Sequence, residues 1–155
     1  MTEQVRFNAS EIYQFAIRIE ENGEAFYRKV AASTPDARLK ELFDFLAGEE
    51  AKHRRTFETT LAGIADYRPP EIFPDEYFLY LRSYADTVIF SASVAREMPE
   101  KPEPAAAVDF AIRRELDSIL YYLEIRNIVP EAQRPAIDRI VEQERRHFTQ
   151  LTDLK

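Results

Sequence analysis

The stretch FLAGEEAKH, at residues 45–53, ends on one of only two histidines in the chain. Glu50 precedes His53 by three residues, and residues with this spacing share one face of an α-helix. The other histidine, His147, ends the stretch IVEQERRH and also follows a glutamate by three residues. Apolar residues flank both pairs at helical spacing. The two stretches therefore predict two helices that direct a Glu-x-x-His pair into a common core.

The composition predicts one globular, helical domain that extends over residues 1–155. Apolar residues make up 45% of the chain and charged residues 32%, so the sequence can form a core of its own. Glycine is scarce, with 3 residues, which favours long helices over many tight turns. The net charge of −7 argues against nucleic acid or an anionic membrane as a partner and is compatible with cation binding.

Several functional classes are excluded by residues that the sequence lacks. There is no cysteine, which excludes disulfides, thiolate nucleophiles and cysteine-ligated metal centres within this chain. The first ten residues do not combine a basic segment with an apolar run, so no secretory signal is predicted. No apolar stretch approaches the ~20 residues that span a bilayer. The predicted location is therefore the cytoplasm.

Apolar residues recur every three or four positions in four segments, over residues 8–33, 35–63, 104–127 and 135–153. Short turns join the first segment to the second and the third to the fourth, so each pair is predicted to pack as an antiparallel hairpin. A long connection, at about residues 64–104, separates the two hairpins. This connectivity predicts an all-α fold, a four-helix bundle with one long crossover between helices 2 and 3.

The ends of these helices carry signals of their own. Asn8 is predicted to cap the first helix, and Thr34 is predicted to cap the second, with Pro35 at its first helical position. Within the crossover, a short helix is predicted from Pro74 to Ser83, and a second one over residues 84–97.

Aromatic residues crowd the crossover: Phe73, Tyr77, Phe78, Tyr80, Tyr84 and Phe90. They either pack across the outside of the bundle or form a surface for self-association, because exposed apolar patches usually mark contacts. We favour a homodimer that buries this surface against its own copy.

One glutamate interrupts the apolar stripe of each long helix, namely Glu20, Glu50, Glu115 and Glu144. Four buried carboxylates without a counter-charge would be strongly unfavourable. Two divalent cations would supply the opposite charge. His53 and His147 would each add a neutral nitrogen ligand. The pattern therefore predicts a buried site for two metal ions. The alternative is a solvated or salt-bridged face on each helix.

Other polar residues compete for a place in this site. Glu21 has polar neighbours on its face and is predicted to be solvated, and Glu49 has no histidine three residues later. Glu24 lies one turn after the first ligand candidate, and its role stays open. Tyr27 and Tyr122 each follow a ligand candidate by seven residues, so they are candidates for hydrogen bonds to the ligands and otherwise core aromatics.

Four segments together resemble the rubrerythrin-like branch of the ferritin-like superfamily: AIRIEENGEAFY (16–27), FLAGEEAKH, FAIRRELDSILYY (110–122) and IVEQERRH. The resemblance covers the four bundle helices and implies a di-iron site. Its implied ligands, by position in this chain, are Glu20, Glu50, His53, Glu115, Glu144 and His147. Iron is the metal that the resemblance implies, whereas carboxylate and imidazole ligands also accept manganese or zinc.

The sequence departs from the rubrerythrin pattern in two ways. Full-length rubrerythrins carry a cysteine-ligated rubredoxin domain, which this chain lacks, so any electron donor is a separate molecule. Rubrerythrins also have a second glutamate three residues after the first on the third helix, where this chain has Ser118. In rubrerythrins, that second glutamate is linked to a movement of iron driven by peroxide. Its replacement by serine here puts this movement in question, and with it peroxidase activity.

Three functions are consistent with the sequence. The first is an oxidoreductase that reduces O2 or H2O2 with electrons from an external donor protein. The second is ferroxidase activity with storage or delivery of iron and no catalytic turnover. The third is a helical interaction module with a structural metal. The resemblance favours the first, and whether the protein is an enzyme stays open at this point.

Overall fold

The computed structural model describes residues 9–64, 75–85 and 102–154. Four long helices form the bundle: α1 (Ala9–Ser33), α2 (Ala37–Ile64), α4 (Pro104–Arg126) and α5 (Arg134–Thr152). The short helix α3 (Asp75–Tyr84) lies in the crossover, and a 3-10 turn (Glu131–Gln133) precedes α5. The predicted all-α bundle with one long crossover is confirmed. The predicted cap at Asn8 lies outside the described residues, as does nearly all of the second crossover helix.

The start of α2 differs from the prediction by two residues. Asp36, rather than Thr34, caps this helix, because its Oδ1 accepts hydrogen bonds from the backbone N–H groups of Arg38 (2.9 Å) and Leu39 (3.2 Å). The hydroxyl of Thr34 instead accepts a hydrogen bond from the backbone N–H of Asp36 at 3.2 Å. The two side chains together turn the chain sharply from α1 into α2.

Hydrogen bonds between helices fix the relative direction of α1 and α4. The hydroxyl of Tyr121 donates to the backbone oxygen of Ile12 at 3.2 Å, and Arg114 donates to the backbone oxygen of Ile19 at 3.1 Å. Residue numbers rise along one helix as they fall along the other, so the two helices are antiparallel. The pairs α1–α2 and α4–α5 pack most extensively, as expected for two docked hairpins.

Two apolar clusters fill the bundle, and the buried charged residues lie between them. Along α2, Phe43 and Leu46 belong to one cluster and Phe57 to the other. Along α5, Leu151 belongs to the first cluster and Ile140 to the second. Each intervening segment carries a Glu-x-x-His pair. The polar site therefore occupies a layer in the middle of the bundle, with apolar packing above and below it.

The crossover helix α3 packs against the outside of α4. Phe78 and Leu81 are buried, and the hydroxyl of Tyr84 donates to the backbone oxygen of Asp117 at 2.8 Å. On α4 itself, the side chain of Tyr121 is fully buried, whereas that of Leu123 is exposed. Among the helices of the described ranges, none is both long and apolar enough to cross a bilayer.

Candidate metal centre

The bundle brings the six predicted ligand residues together at its centre. Each of the four long helices contributes one glutamate, and α2 and α5 each add a histidine one turn further along. All six side chains are buried, with at most 4% of their surface exposed: Glu20, Glu50, His53, Glu115, Glu144 and His147. The predicted convergence of these residues is what the structure displays, whereas their function as metal ligands remains a prediction.

The six residues form two overlapping groups. One group contains Glu20 and His53, the other contains Glu115 and His147, and both contain Glu50 and Glu144. Within each group, one potential ligand atom from every residue lies within 4.8 Å of the others. Two carboxylates shared by two groups can bridge two cations, and the remaining carboxylate and histidine of each group then bind one cation each. The arrangement fits two neighbouring metal ions.

Unsatisfied polar atoms show that the side chains fit such ions. Buried polar atoms in proteins are almost always hydrogen bonded. Each of the six residues nevertheless has one buried oxygen or nitrogen without a hydrogen-bond partner. In the described part of the chain, only the hydroxyl of Tyr13 and Nε of Arg134 share this property. These six atoms are imidazole nitrogens and carboxylate oxygens, which are the donor atoms that a dimetal site requires.

The two histidines direct the same ring nitrogen at the carboxylates. Nδ1 of His53 lies 2.8 Å from Glu144 and 3.5 Å from Glu20. Nδ1 of His147 lies 3.7 Å from Glu144 and 3.8 Å from Glu115. The rings stack with their centroids 5.9 Å apart. Mixed carboxylate and imidazole sets of this kind suit iron, manganese and zinc.

Without a cation, protons take over part of the charge balance. Burial and the nearby charge of Glu144 raise the pKa of Glu50 and of Glu115 well above the usual range. Burial opposes protonation of His53, but the adjacent carboxylates outweigh burial and raise its pKa to about 11. The same competition raises the pKa of His147 to about 9. The metal-free site therefore retains protons that bound cations would displace.

A glutamine that the sequence analysis missed orients one of the histidines. Nε2 of His53 lies 2.7 Å from Oε1 of Gln143, on the opposite helix α5. Because an amide oxygen only accepts hydrogen bonds, Nε2 carries the proton when the ring is neutral, and Nδ1 then has the lone pair that a metal would bind. Gln143 directly precedes Glu144 in sequence, but no spacing pattern distinguishes it. Only the antiparallel crossing of α2 and α5 brings it to the ring.

Both candidate tyrosines hydrogen bond to predicted ligands. The hydroxyl of Tyr27 donates to Glu115, and the hydroxyl of Tyr122 donates to Glu20. Each tyrosine thus contacts the glutamate of the neighbouring helix rather than the one seven residues before it. Burial and the adjacent carboxylates raise the pKa of both phenols far above the usual range, so both remain protonated donors.

The competing polar residues have other partners. Glu24 forms ion pairs with Arg28 (2.9 Å) and Arg54 (2.8 Å), which assigns it a position at the edge of the bundle outside the two ligand groups. Glu49 pairs with Lys52 at 3.2 Å, and Glu21 is exposed. The hydroxyl of Ser118 donates to the backbone oxygen of Arg114 at 2.9 Å, one turn earlier on the same helix.

Gly23 leaves room for one of the shared carboxylates. A methyl group added at this position would lie 2.9 Å from Oε2 of Glu50 and 3.2 Å from Nη2 of Arg114. The Gly23→Ala substitution is therefore expected to displace the Glu50 carboxylate and to lower metal content clearly below that of the wild type. Elemental analysis after reconstitution measures this effect.

Gly48→Ala is the matched control, because an added methyl group there has no neighbour within 4 Å. Both glycines are helical, so each substitution gains about 0.5–1 kcal/mol of helix propensity. We expect Gly48→Ala to raise the melting temperature and to keep full metal loading. Equal metal content in the two variants would contradict the role of Gly23.

Comparison with known proteins gives two matches. The family model described as Rubrerythrin matches residues 11–155. A crystal structure from Thermotoga maritima, described as that of a candidate ferritin-like diiron-carboxylate protein, superposes with a TM-score of 0.72 at 23% sequence identity. That match covers 97% of this chain and 95% of the other. Among curated proteins, none matches the sequence.

Proposed function

The chain belongs to the Rubrerythrin family, whose model extends over residues 11–155, and on this premise we propose that it is a di-iron protein that reduces O2 or H2O2 with electrons from a separate donor. The observation that carries this proposal is the pair of buried ligand groups that share Glu50 and Glu144. Family membership favours iron over manganese and zinc, which the same ligands accept. An oxidant is the substrate, and no organic substrate is needed.

The residues of the chain would divide the work as follows. Glu20 and His53 would hold one ion, Glu115 and His147 would hold the other, and the shared carboxylates of Glu50 and Glu144 would offset the charge of both. A bound iron pair supplies two electrons for the reduction of the oxidant. Carboxylates can change from one-oxygen to two-oxygen coordination, so the site can adapt when the charge on the metals changes.

Hydrogen bonds restrict the outer ligands. Tyr27 donates to Glu115 and Tyr122 donates to Glu20, so one oxygen of each terminal carboxylate is held by a phenol and the other faces the metal positions. Burial and the adjacent carboxylates keep both phenols protonated, so each continues to donate its hydrogen bond to the carboxylate. The apolar clusters on either side exclude water from this layer.

Reconstitution with ferrous iron tests the proposal directly. We expect about two iron ions per chain by elemental analysis, because four carboxylates balance two divalent charges. Addition of H2O2 should oxidise the iron rapidly, and an artificial reductant should restore it over repeated cycles. Iron oxidation without repeated cycles would instead indicate ferroxidase activity with iron storage or delivery. A folded protein with no bound metal would exclude both functions.

The homodimer remains part of the proposal. Tyr80 is 47% exposed on α3, and α4 exposes Leu116, Leu120 and Leu123 at steps of four and three residues along one side. Sedimentation at micromolar concentration is expected to give a dimer. Tyr80→Glu should dissociate it, whereas Arg145→Glu on exposed α5 surface should leave it intact. A monomer of 18.1 kDa would contradict the dimer and assign these residues to other roles.

A further inference from the structure

The two histidines of the metal centre differ in what holds their outer ring nitrogen. Nε2 of His53 lies 2.7 Å from Oε1 of Gln143, which accepts a hydrogen bond from the neutral ring. Nε2 of His147 has no hydrogen-bond partner among the described residues, and it does not belong to the buried polar atoms that lack one, so solvent reaches it. One imidazole is therefore fixed by the protein at both nitrogens, and the other is not.

The surroundings of the two rings differ in the same direction. The ring of His147 contacts Phe45 edge to face, with the centroids 6.3 Å apart. Phe45 is 48% exposed, so the aromatic ring that packs on His147 is itself half in water. His53 instead contacts a partly buried glutamine on the opposite helix, which connects α2 to α5. The metal position of His147 therefore has the more open surroundings.

The distances between ligand atoms also favour the position of His53. Two donor atoms that bind one ion, each at about 2.1 Å, lie about 3.0–3.4 Å apart in octahedral or tetrahedral geometry. Nδ1 of His53 lies 2.8 Å from Glu144 and 3.5 Å from Glu20, close to this range on either side. Nδ1 of His147 lies 3.7 Å from Glu144 and 3.8 Å from Glu115. The group around His147 must therefore contract before it holds an ion.

The carboxylates do not offset this difference. Each terminal carboxylate accepts a hydrogen bond from one buried phenol, Glu20 from Tyr122 and Glu115 from Tyr27. The remaining two glutamates belong to both ligand groups. The inequality therefore lies in the histidines. A hydrogen bond to the outer nitrogen of a metal-binding imidazole is worth about 10–100-fold in metal affinity.

We infer that the two metal positions are unequal: Glu20 and His53 bind the first ion tightly, and the ion held by Glu115 and His147 exchanges with solution. Gln143 is the positioning residue that creates the difference, because it orients the ring of His53 and makes Nδ1 more basic. The binding order rests on the ligand groups alone. Its consequence rests on the proposed function: one ferrous ion supplies only one electron, so activity follows the concentration of free metal that fills the second position.

Titration of the metal-free protein with Co2+ tests the order of binding, since visible absorption and heat report binding without a redox reaction. We expect two steps whose dissociation constants differ at least about tenfold. Glu115→Gln should keep the tight step and lose the weak one, whereas Glu20→Gln should keep only the weak step. Equal dissociation constants in the wild type, or tighter binding in Glu20→Gln than in Glu115→Gln, would overturn the inference.

Substitution of Gln143 tests the cause of the inequality. Gln143→Leu removes the acceptor at similar size, so the tight step should weaken by about 10–100-fold and merge with the weak one. Gln143→Glu keeps an acceptor oxygen and should keep the steps separate. Gln150→Leu is the matched control, because Gln150 is exposed seven residues further along the same side of α5, and it should bind like the wild type. Two separate steps in Gln143→Leu would contradict the role of Gln143.

Release of Co2+ into excess EDTA tests which ion exchanges. The loaded wild type should give a fast and a slow phase. Phe45→Ala opens the surroundings of His147, so the fast phase should accelerate several-fold and the slow phase should keep its rate. Leu79→Ala is the control, because Leu79 is also 48% exposed but lies on α3, and neither phase should change. An unchanged fast phase in Phe45→Ala would contradict exchange at His147, whereas bound iron that does not react with H2O2 would contradict only the proposed function.

Discussion

Glu144→Gln is expected to remove most of the bound metal, from about two ions per chain to well below one. Glu144 belongs to both ligand groups, and its two oxygens face different histidines, Oε1 towards His53 at 2.8 Å and Oε2 towards His147 at 3.7 Å. Glutamine has the same size but carries no charge, and its amide nitrogen cannot bind a cation. A single substitution therefore weakens both metal positions at once.

Two variants serve as references for this measurement. Glu142→Gln lies on the same helix, but Glu142 is exposed and pairs with Arg146 at 2.7 Å, so metal content should not change. Glu115→Gln affects only one ligand group and should leave about one ion per chain. Metal analysis after dialysis compares all three proteins. Wild-type loading in Glu144→Gln would show that Glu144 does not bridge two ions.

The metal-free protein is expected to lose stability as the pH rises from about 6.5 to about 9. In this range the folded state holds more protons than the unfolded state, because the pKa of His53 rises from 6.5 to about 11 and that of His147 to about 9. The raised pKa of Glu50 acts in the same direction, since the folded carboxyl keeps a proton that the unfolded one has lost. The stability that these bound protons contribute is fully present below the pKa values of the unfolded state. It is lost as the pH rises through the pKa values of the folded state.

The size of the effect is substantial. Each additional proton on the folded state changes the free energy of unfolding by about 1.4 kcal/mol per pH unit. Chemical denaturation at about pH 6.5, 7.5 and 8.5 measures the slope of the free energy of unfolding against pH. Metal binding should reverse the trend, because cations displace these protons and bind more tightly at higher pH.

A variant at Glu50 tests the cause of this pH dependence. Metal-free Glu50→Gln should be more stable than the metal-free wild type at alkaline pH, because it removes a carboxyl that burial and nearby carboxylates hold in its protonated form. With iron present, the order should invert, since the variant loses a shared ligand. A flat stability profile in the metal-free wild type would contradict the assignment of protons to this site.

The sequence was informative wherever one helix by itself defines a pattern. The i to i+3 spacing of each Glu-x-x-His pair fixes both side chains on the same face, because the α-helix has a constant rise and rotation per residue. The same regularity located the glutamates that interrupt the apolar stripes of α1 and α4. Turn lengths between helices then determined the two hairpins and the crossover. Helix starts were less certain, as at Asp36, because several residues compete as caps.

Only the tertiary structure decided which residues meet across helices. Tyr27 and Tyr122 donate hydrogen bonds to glutamates of a neighbouring helix. Gln143 lies within hydrogen-bond distance of Nε2 of His53, and Gly23 leaves room for the Glu50 carboxylate. These contacts depend on the rotation of each helix about its axis and on its shift along its neighbour, in the antiparallel pairs α1–α4 and α2–α5. A single helix carries no information about either quantity. Both are set by how the side chains of all four helices pack together.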